Sequence, residues 1–525
     1  MAKPFLLDFM PGIDRDGTAF DSSRYLDGLW CRWRLKRPRK MGGFKQITDV
    51  INGTPRRIHC FYQNGLVYVH VGTSYGIQQV VMDAAGNMLS IQDRTPVTFV
   101  GGADIGFTMD AIFDTTSSVV QIVVHAVPDV TVSSTNVQTV PFLGQIDAPY
   151  ILLPFSDPGA ASPAIYVKPA VSGGIVCVQP FVFSFDSYGQ VRWSAPNLPN
   201  YLGVTGGSSG AGQARISAQK VLAGAPIRGG GTQSPAAIFW TVSEVITAVY
   251  VGTPAWFSFN TISSSSSILG TDVIIEYDGL YFWAAVGRFM VFNGTVVEIP
   301  NVSNQDWFFD NLTPGCEAKT FAFKVPRYGE IWWCAAMFGN FEPSHAVIYN
   351  LRENCWYDTV LPNGGRSAGY FAQGVKYPIM GGSIAASDGN GFQLWLHEYG
   401  VDQIDNQGLH PVRSYFETGY FGGPKNTPPD DGGLSFHQLE PDFIQNGDLI
   451  TYLIGAPNAR APTANSASSP IVSQPAVPQE QMTSYTPRQS LRLTRLHIES
   501  NVIGGNYICG KNIGHGEESD ARKVS

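Results

Sequence analysis

Four stretches hold residue types that could do chemistry. Ser184-Phe185-Asp186-Ser187-Tyr188-Gly189-Gln190-Val191-Arg192-Trp193 places a carboxylate and a tryptophan around a glycine turn. With Arg192, Arg215 and Arg228 it offers, by residue type only, acid–base and carboxylate-binding groups for an anionic sugar. The spacing is that of a turn, it occurs once, and a structural role outweighs a catalytic one. Asp14-Arg15-Asp16-Gly17-Thr18 starts like a calcium loop but lacks the bidentate glutamate downstream, so an N-terminal turn is the better reading. Gly206-Gly207-Ser208-Ser209-Gly210-Ala211-Gly212 has the glycine content of a phosphate cradle without the Lys-Ser/Thr ending or a helix to follow. The fourth stretch, Arg32-Trp33-Arg34-Leu35-Lys36-Arg37-Pro38-Arg39-Lys40, is the one concentrated basic run. Trp30 and Trp33 are interleaved with its cations as on a half-buried strand, which favours a protein partner over DNA.

The nine histidines are isolated. His59, His70, His345 and His397 stand in strand-like text, where a histidine beside aromatics is usually a satisfied core residue. No H-x-x-x-H or C-x-x-C spacing suggests zinc. The expectation is therefore no catalytic set, no cofactor and no metal.

The elements that would position these residues are strands. Gly (57) and Pro (35) punctuate the chain too often for long helices, and only 14% of residues are charged. Residues 271–300 read as short strands joined by Asp278-Gly279, Gly287-Arg288 and Asn293-Gly294, the last the strongest short-range hairpin signal. The same phrase returns near 64–81, 328–358 and 388–395, a period of about 40–50 residues that marks β-propeller blades. The predicted fold is all-β: a propeller of six or seven blades over 45–410, an extended basic arm over 1–44, and a C-terminal β domain over 411–525. Within these, 105–170 reads as an inserted hairpin or a degraded blade, 455–488 as a flexible Ala/Pro/Ser/Gln loop, and the end from Gly516 as disordered.

Net charge is −8, which argues against holding nucleic acid by neutralising phosphates. Seven scattered cysteines suit buried thiols better than a disulfide framework. Asp8 and Pro11 interrupt the place where a signal peptide keeps its apolar core, and no apolar run of roughly 18 residues spans a membrane. A soluble, unprocessed, cytoplasmically made chain is expected.

Many phrases resemble the tail nozzle (tail hub) proteins of short-tailed bacteriophages. Among them are Arg192-Trp193-Ser194-Ala195-Pro196-Asn197, Arg215-Ile216-Ser217-Ala218-Gln219-Lys220 and Trp307-Phe308-Phe309-Asp310-Asn311. Lys324-Val325-Pro326-Arg327-Tyr328-Gly329-Glu330-Ile331-Trp332-Trp333 is another, as is Glu499-Ser500-Asn501-Val502-Ile503-Gly504-Gly505. Arg34-Leu35-Lys36-Arg37-Pro38-Arg39-Lys40-Met41-Gly42-Gly43-Phe44 is similar to the basic phrase near the start of that family. The likeness covers most of 30–510, is patchy over 105–170 and 455–488, and contains no catalytic signature.

The resemblance implies a non-enzymatic virion protein of the tail, made in the host cytoplasm. It implies a homohexameric tube below the portal and adaptor ring, conducting DNA without specific binding and docking tail fibres or spikes. Arg34, Arg37, Arg39 and Lys40 are then the expected partner contacts. Glu276, Asp278 and Glu298 are candidate channel-lining residues, with a solvated blade rim as the alternative. Two other readings stand beside it: a propeller that binds or hydrolyses host glycans, based on the single turn resembling the sialidase Asp box, and a cellular kelch- or WD-type scaffold.

Overall fold

The computed structural model describes residues 2–18, 22–97, 99, 101–103, 105–115, 117–127, 141–155, 173–200, 202, 210–227, 235–371, 374–386, 391–421, 433–456, 467–474, 486 and 489–519. Almost all of its regular structure is strand, arranged mainly as small antiparallel sheets in chain order. Six four-stranded sheets cover 55–93, 106–154, 174–215, 221–263, 274–298 and 321–360. A seventh uses Arg366–Phe371, Pro378–Ala385 and Phe392–His397, and takes its fourth strand, Phe44–Ile51, from before the first blade.

The chain is a seven-bladed β-propeller, and that exchanged strand closes the ring. The first strand of each blade is innermost. These inner strands run parallel from blade to blade. Ile175 N–H donates to Thr108 Oγ1 at 3.0 Å, and Cys177 N–H to Asp110 Oδ2 at 2.9 Å, so blades 2 and 3 advance in step. Up-and-down strands then place every second-to-third-strand turn, and every connection between blades, on one face of the ring. The turns after first strands lie on the opposite face.

Residues 106–154 form a blade of their own, not an insertion. The usual phrase is blurred there because Val119–Val127 is buried along most of its length, which erases the period-2 alternation. Residues 1–44 are woven in, not an extended arm. Lys3–Leu7 pairs with Asn512–Ser519, Asp27–Leu29 with Ser414–Glu417, and the Cys31–Arg34/Arg37–Lys40 hairpin meets Asn506–Cys509 through Arg39 and Ile508. Phe5, Leu7, Ile13, Trp30 and Trp33 are buried there, and that apolar burial draws the segment in. Asn512–Ser519 also pairs with Gly433–Glu440, so the chain is ordered past Gly516, while 520–525 lie outside the described residues. Most of 455–488 lies outside them too, apart from the strand Ala467–Gln474 on Leu449–Ala456. One buried cluster runs from this lobe (Trp33, Phe416, Leu496, Tyr507) into blades 6 and 7 (Trp332, Tyr357, Trp395). All seven cysteines are buried free thiols.

Candidate functional site

The hairpin that carries the basic run owes its shape to its turn. Leu35 and Lys36 both take positive φ (53° and 60°), and their N–H groups donate to Glu353 at 2.7 and 3.1 Å. The flanking strands then sort the cations. Arg34 and Arg37 are exposed, Arg39 is half-buried, and Lys40 is 3% exposed. The Lys40 ammonium donates to Gly505 O at 2.8 Å, and burial lowers its pKa to about 8 against the pull of Asp402. Lys40 is thus an internal strut, and the expectation that it meets a partner is corrected. Pro38 and Lys40 alternate inward while Arg37 and Arg39 do not, as a strand against a core requires.

Arg32, in the same run, is the residue whose role the sequence concealed. It is 1% exposed, its Nε lies 2.9 Å from Glu330 Oε1, and its two terminal nitrogens bind both oxygens of Glu398. Its guanidinium lies 3.8 Å from the centre of the Tyr328 ring. Glu330 also accepts from Tyr357 Oη at 2.6 Å and Trp332 Nε1 at 2.9 Å. Burial raises the Glu330 pKa, which Arg32 opposes. This network joins the terminal lobe to blades 6 and 7.

The three acidic candidates part company. Glu276, on the inner strand Ile274–Tyr277, pairs with Lys324 on the inner strand of the next blade at 3.0 Å. Asp278 is exposed in the turn that follows (φ 51°). Glu298 ends the outermost strand Val296–Glu298, 3.8 Å from Arg288, so it sits on the perimeter and does not line the axis. The axis itself is bridged at one mouth. Arg57 of blade 1 binds Asp272, which leads into blade 5, at 2.5 Å, and those blades are not neighbours in the ring.

The stretches singled out for chemistry have structural duties. Asp186 Oδ1 accepts from Tyr188 N at 2.8 Å and Gln190 N at 3.0 Å, which closes a turn of blade 3. Arg192 is buried, Arg215 is exposed, and Arg228 lies outside the described residues, as does most of the glycine-rich 206–212 stretch. Asp14 accepts from Gly17 N, and Asp16 receives the N–H groups of Asp306 and Trp307 at the start of the helix Gln305–Asp310. Arg15 forks onto Asp358. His70 and His397 are buried, with burial the main cause of their lowered pKa, and burial likewise takes His345 to about 4. Among the described residues no group of three or more His, Cys, Asp and Glu is placed to hold a metal ion, and no helix is long and apolar enough to cross a membrane.

What the ring does present is an apolar rim. On the face of the second-to-third-strand turns stand Tyr75, Tyr188, Val242, Val286, Phe341 and Ile384, from six of the seven blades, each at least half exposed. They stand one to a blade, and it is a contiguous apolar patch, not side chains set singly, that marks a contact surface. Propensity alone flags none of them, because each is a single apolar residue in polar turn text.

No family model matches the chain, and no curated protein matches it. Among solved structures, a chain from a crystal structure of the mitotic checkpoint complex is similar at 10% identity. That match covers 69% of this chain and 96% of the other, with a TM-score of 0.39. BBS1N, from a crystal structure in complex with ARL6DN, is similar at 9% identity over 68% and 96%, with a TM-score of 0.38. Likeness at this level says nothing of what this chain does.

Proposed function

We propose that the chain is a structural subunit of a short-tailed bacteriophage tail nozzle, assembling as a homohexamer below the adaptor ring, conducting DNA and docking fibres or spikes. The observation that carries this reading is the run of family phrases across 30–510, on a closed ring whose turns on one face each present an exposed apolar side chain in six of the seven blades. The acidic balance suits a wall along which DNA slides without lodging. Because Arg57 and Asp272 cross the propeller axis, the conduit of this proposal runs between subunits and not through any one ring. A catalytic role is not part of the reading. The glycan alternative leans on the turn of Asp186, whose carboxylate is engaged by turn N–H groups.

The test is sedimentation and negative-stain imaging of the purified chain with its adaptor ring, together with immunodetection in purified virions. Sixfold rings in complex with the adaptor support the proposal. A chain that stays monomeric beside the adaptor and is missing from virions overturns it.

A further inference from the structure

The edge where the 31–40 hairpin meets blade 6 gathers cations from two separate parts of the chain. Arg34, Lys36 and Arg37 are exposed around the hairpin turn, and Arg39 stands beside them. The turn after the first strand of blade 6 adds exposed Arg327, and Arg352, on the turn after the third strand of that blade, donates to Arg327 O and Pro326 O at 2.8 Å. The guanidinium carbons of Arg39 and Arg327 lie 5.7 and 5.3 Å from the Tyr328 ring centre. Among the described residues, Arg34, Lys36, Arg37, Arg39 and Arg327 form no ion pair. Glu353, the carboxylate at this turn, is occupied by the N–H groups of Leu35 and Lys36. Burial lowers the Arg39 pKa, Tyr328 opposes it, and Arg32, Arg34 and Arg327 push it further down, as expected where cations crowd.

The hairpin cannot relax to disperse this charge. Arg32, Trp33 and Lys40 pin it from beneath through Glu330, Glu398, Tyr357 and Gly505. At its tip, amid the cations, Leu35 is 76% exposed. A phosphate backbone has no use for that side chain. A duplex would also meet the field of a chain with net charge −8 and would need a longer basic stripe.

We infer that this edge is a docking site for an acidic protein segment carrying an apolar side chain. Its carboxylates take the forks of Arg34, Arg37, Arg39 and Arg327, and its apolar group covers Leu35. Arginine forks match carboxylates in two-point contact, and a rigid patch loses little entropy on binding. The inference stands whether or not the tail-nozzle proposal does.

The experiment is fluorescence anisotropy on the full chain. The probes are a labelled peptide with four Asp/Glu around one Leu, the same peptide with Leu replaced by Ser, and a labelled DNA duplex. The peptide is expected to bind, to weaken at least tenfold with Arg34→Glu/Arg37→Glu/Arg327→Glu, and to weaken several-fold with Leu35→Ser or on loss of its own leucine. All four positions are exposed, and an unchanged thermal melt confirms that each variant is folded. Duplex binding tighter than the peptide overturns the inference. So does peptide binding indifferent to the charge reversal, or no peptide binding up to millimolar concentration.

Discussion

Arg32 and Glu330 form an ion pair with neither side chain more than 1% exposed, and it lies where the terminal lobe meets the ring. Glu398 completes a triad around one guanidinium. Removing the cation leaves two carboxylates in a dry site, and stranded buried charge of this kind costs about 3–5 kcal/mol. Arg32→Met, which keeps the volume, should lower the urea midpoint accordingly. Adding Glu330→Gln and Glu398→Gln should restore part of the loss. If the single and triple variants melt alike, the triad is not what joins lobe and ring.

Ring closure rests on Phe44, the first residue of the exchanged strand. It packs against Trp395, His397 and Trp30 at centroid distances of 5.5, 5.5 and 6.0 Å. Phe44→Ala should cost about 3–5 kcal/mol, because the cavity opens in a core where the lobe and two blades converge. Phe341→Ala, on a side chain 74% exposed, should stay within about 0.5 kcal/mol of the parent. Chemical denaturation of the pair separates a closure residue from a rim residue.

The legible part of this fold was local. Asp278-Gly279 and Asn64-Gly65 sit in turns with positive φ, which is why their glycines announced hairpins in the sequence. Phe44–Ile51 gave no such signal, since its partner Phe392–His397 lies at the other end of the propeller and nothing nearby points to it. The basic run shows a second limit. Arg32 and Arg34 share a strand and a parity, yet Arg32 is buried and Arg34 exposed. Arg34 stands at the hairpin tip, beyond the core that covers Arg32. Residue type announced the charge but not the shape of the surface that covers it. Glu298 shows the same limit, because a strand's rank within its blade decides whether a residue faces the propeller axis or the perimeter, and Glu298 stands on the outermost strand.

Asp186 separates a structural turn from a catalytic carboxylate. It is 5% exposed and accepts two backbone N–H groups, so Asp186→Ala leaves both without that acceptor. The expected cost is about 1–3 kcal/mol. Asp186→Asn, which keeps one acceptor oxygen, should recover most of it. Both variants should process capsule or lipopolysaccharide no differently from the parent. A selective loss of glycan processing in a fully folded Asp186→Asn chain would count for the glycan reading.

His497 gives the terminal lobe a pH dependence whose sign can be worked out. It lies between Tyr415 and Tyr452 with Nδ1 2.9 Å from Glu417 and Nε2 3.1 Å from Glu499, while Arg495 and Arg413 hold the far sides of those carboxylates. Burial works against its charge, but the two carboxylates outweigh it and the pKa is raised. A raised histidine contributes its full stability below the unfolded value, about 6.5, and loses it as pH climbs through the folded value. Glu499 runs the other way. Burial opposes its charge, yet His497 and Arg413 bring its pKa down to about 2, so its contribution is present above roughly pH 4.3 and fades as pH falls toward 2. The two windows overlap between roughly pH 4.3 and 6.5, where this sheet should be most stable. Thermal melts across pH 3 to 9 should therefore decline on both sides for the parent. His497→Gln should flatten the alkaline side and leave an acid side still governed by Glu499 and Arg413. An alkaline decline that survives this substitution would assign the effect to another group.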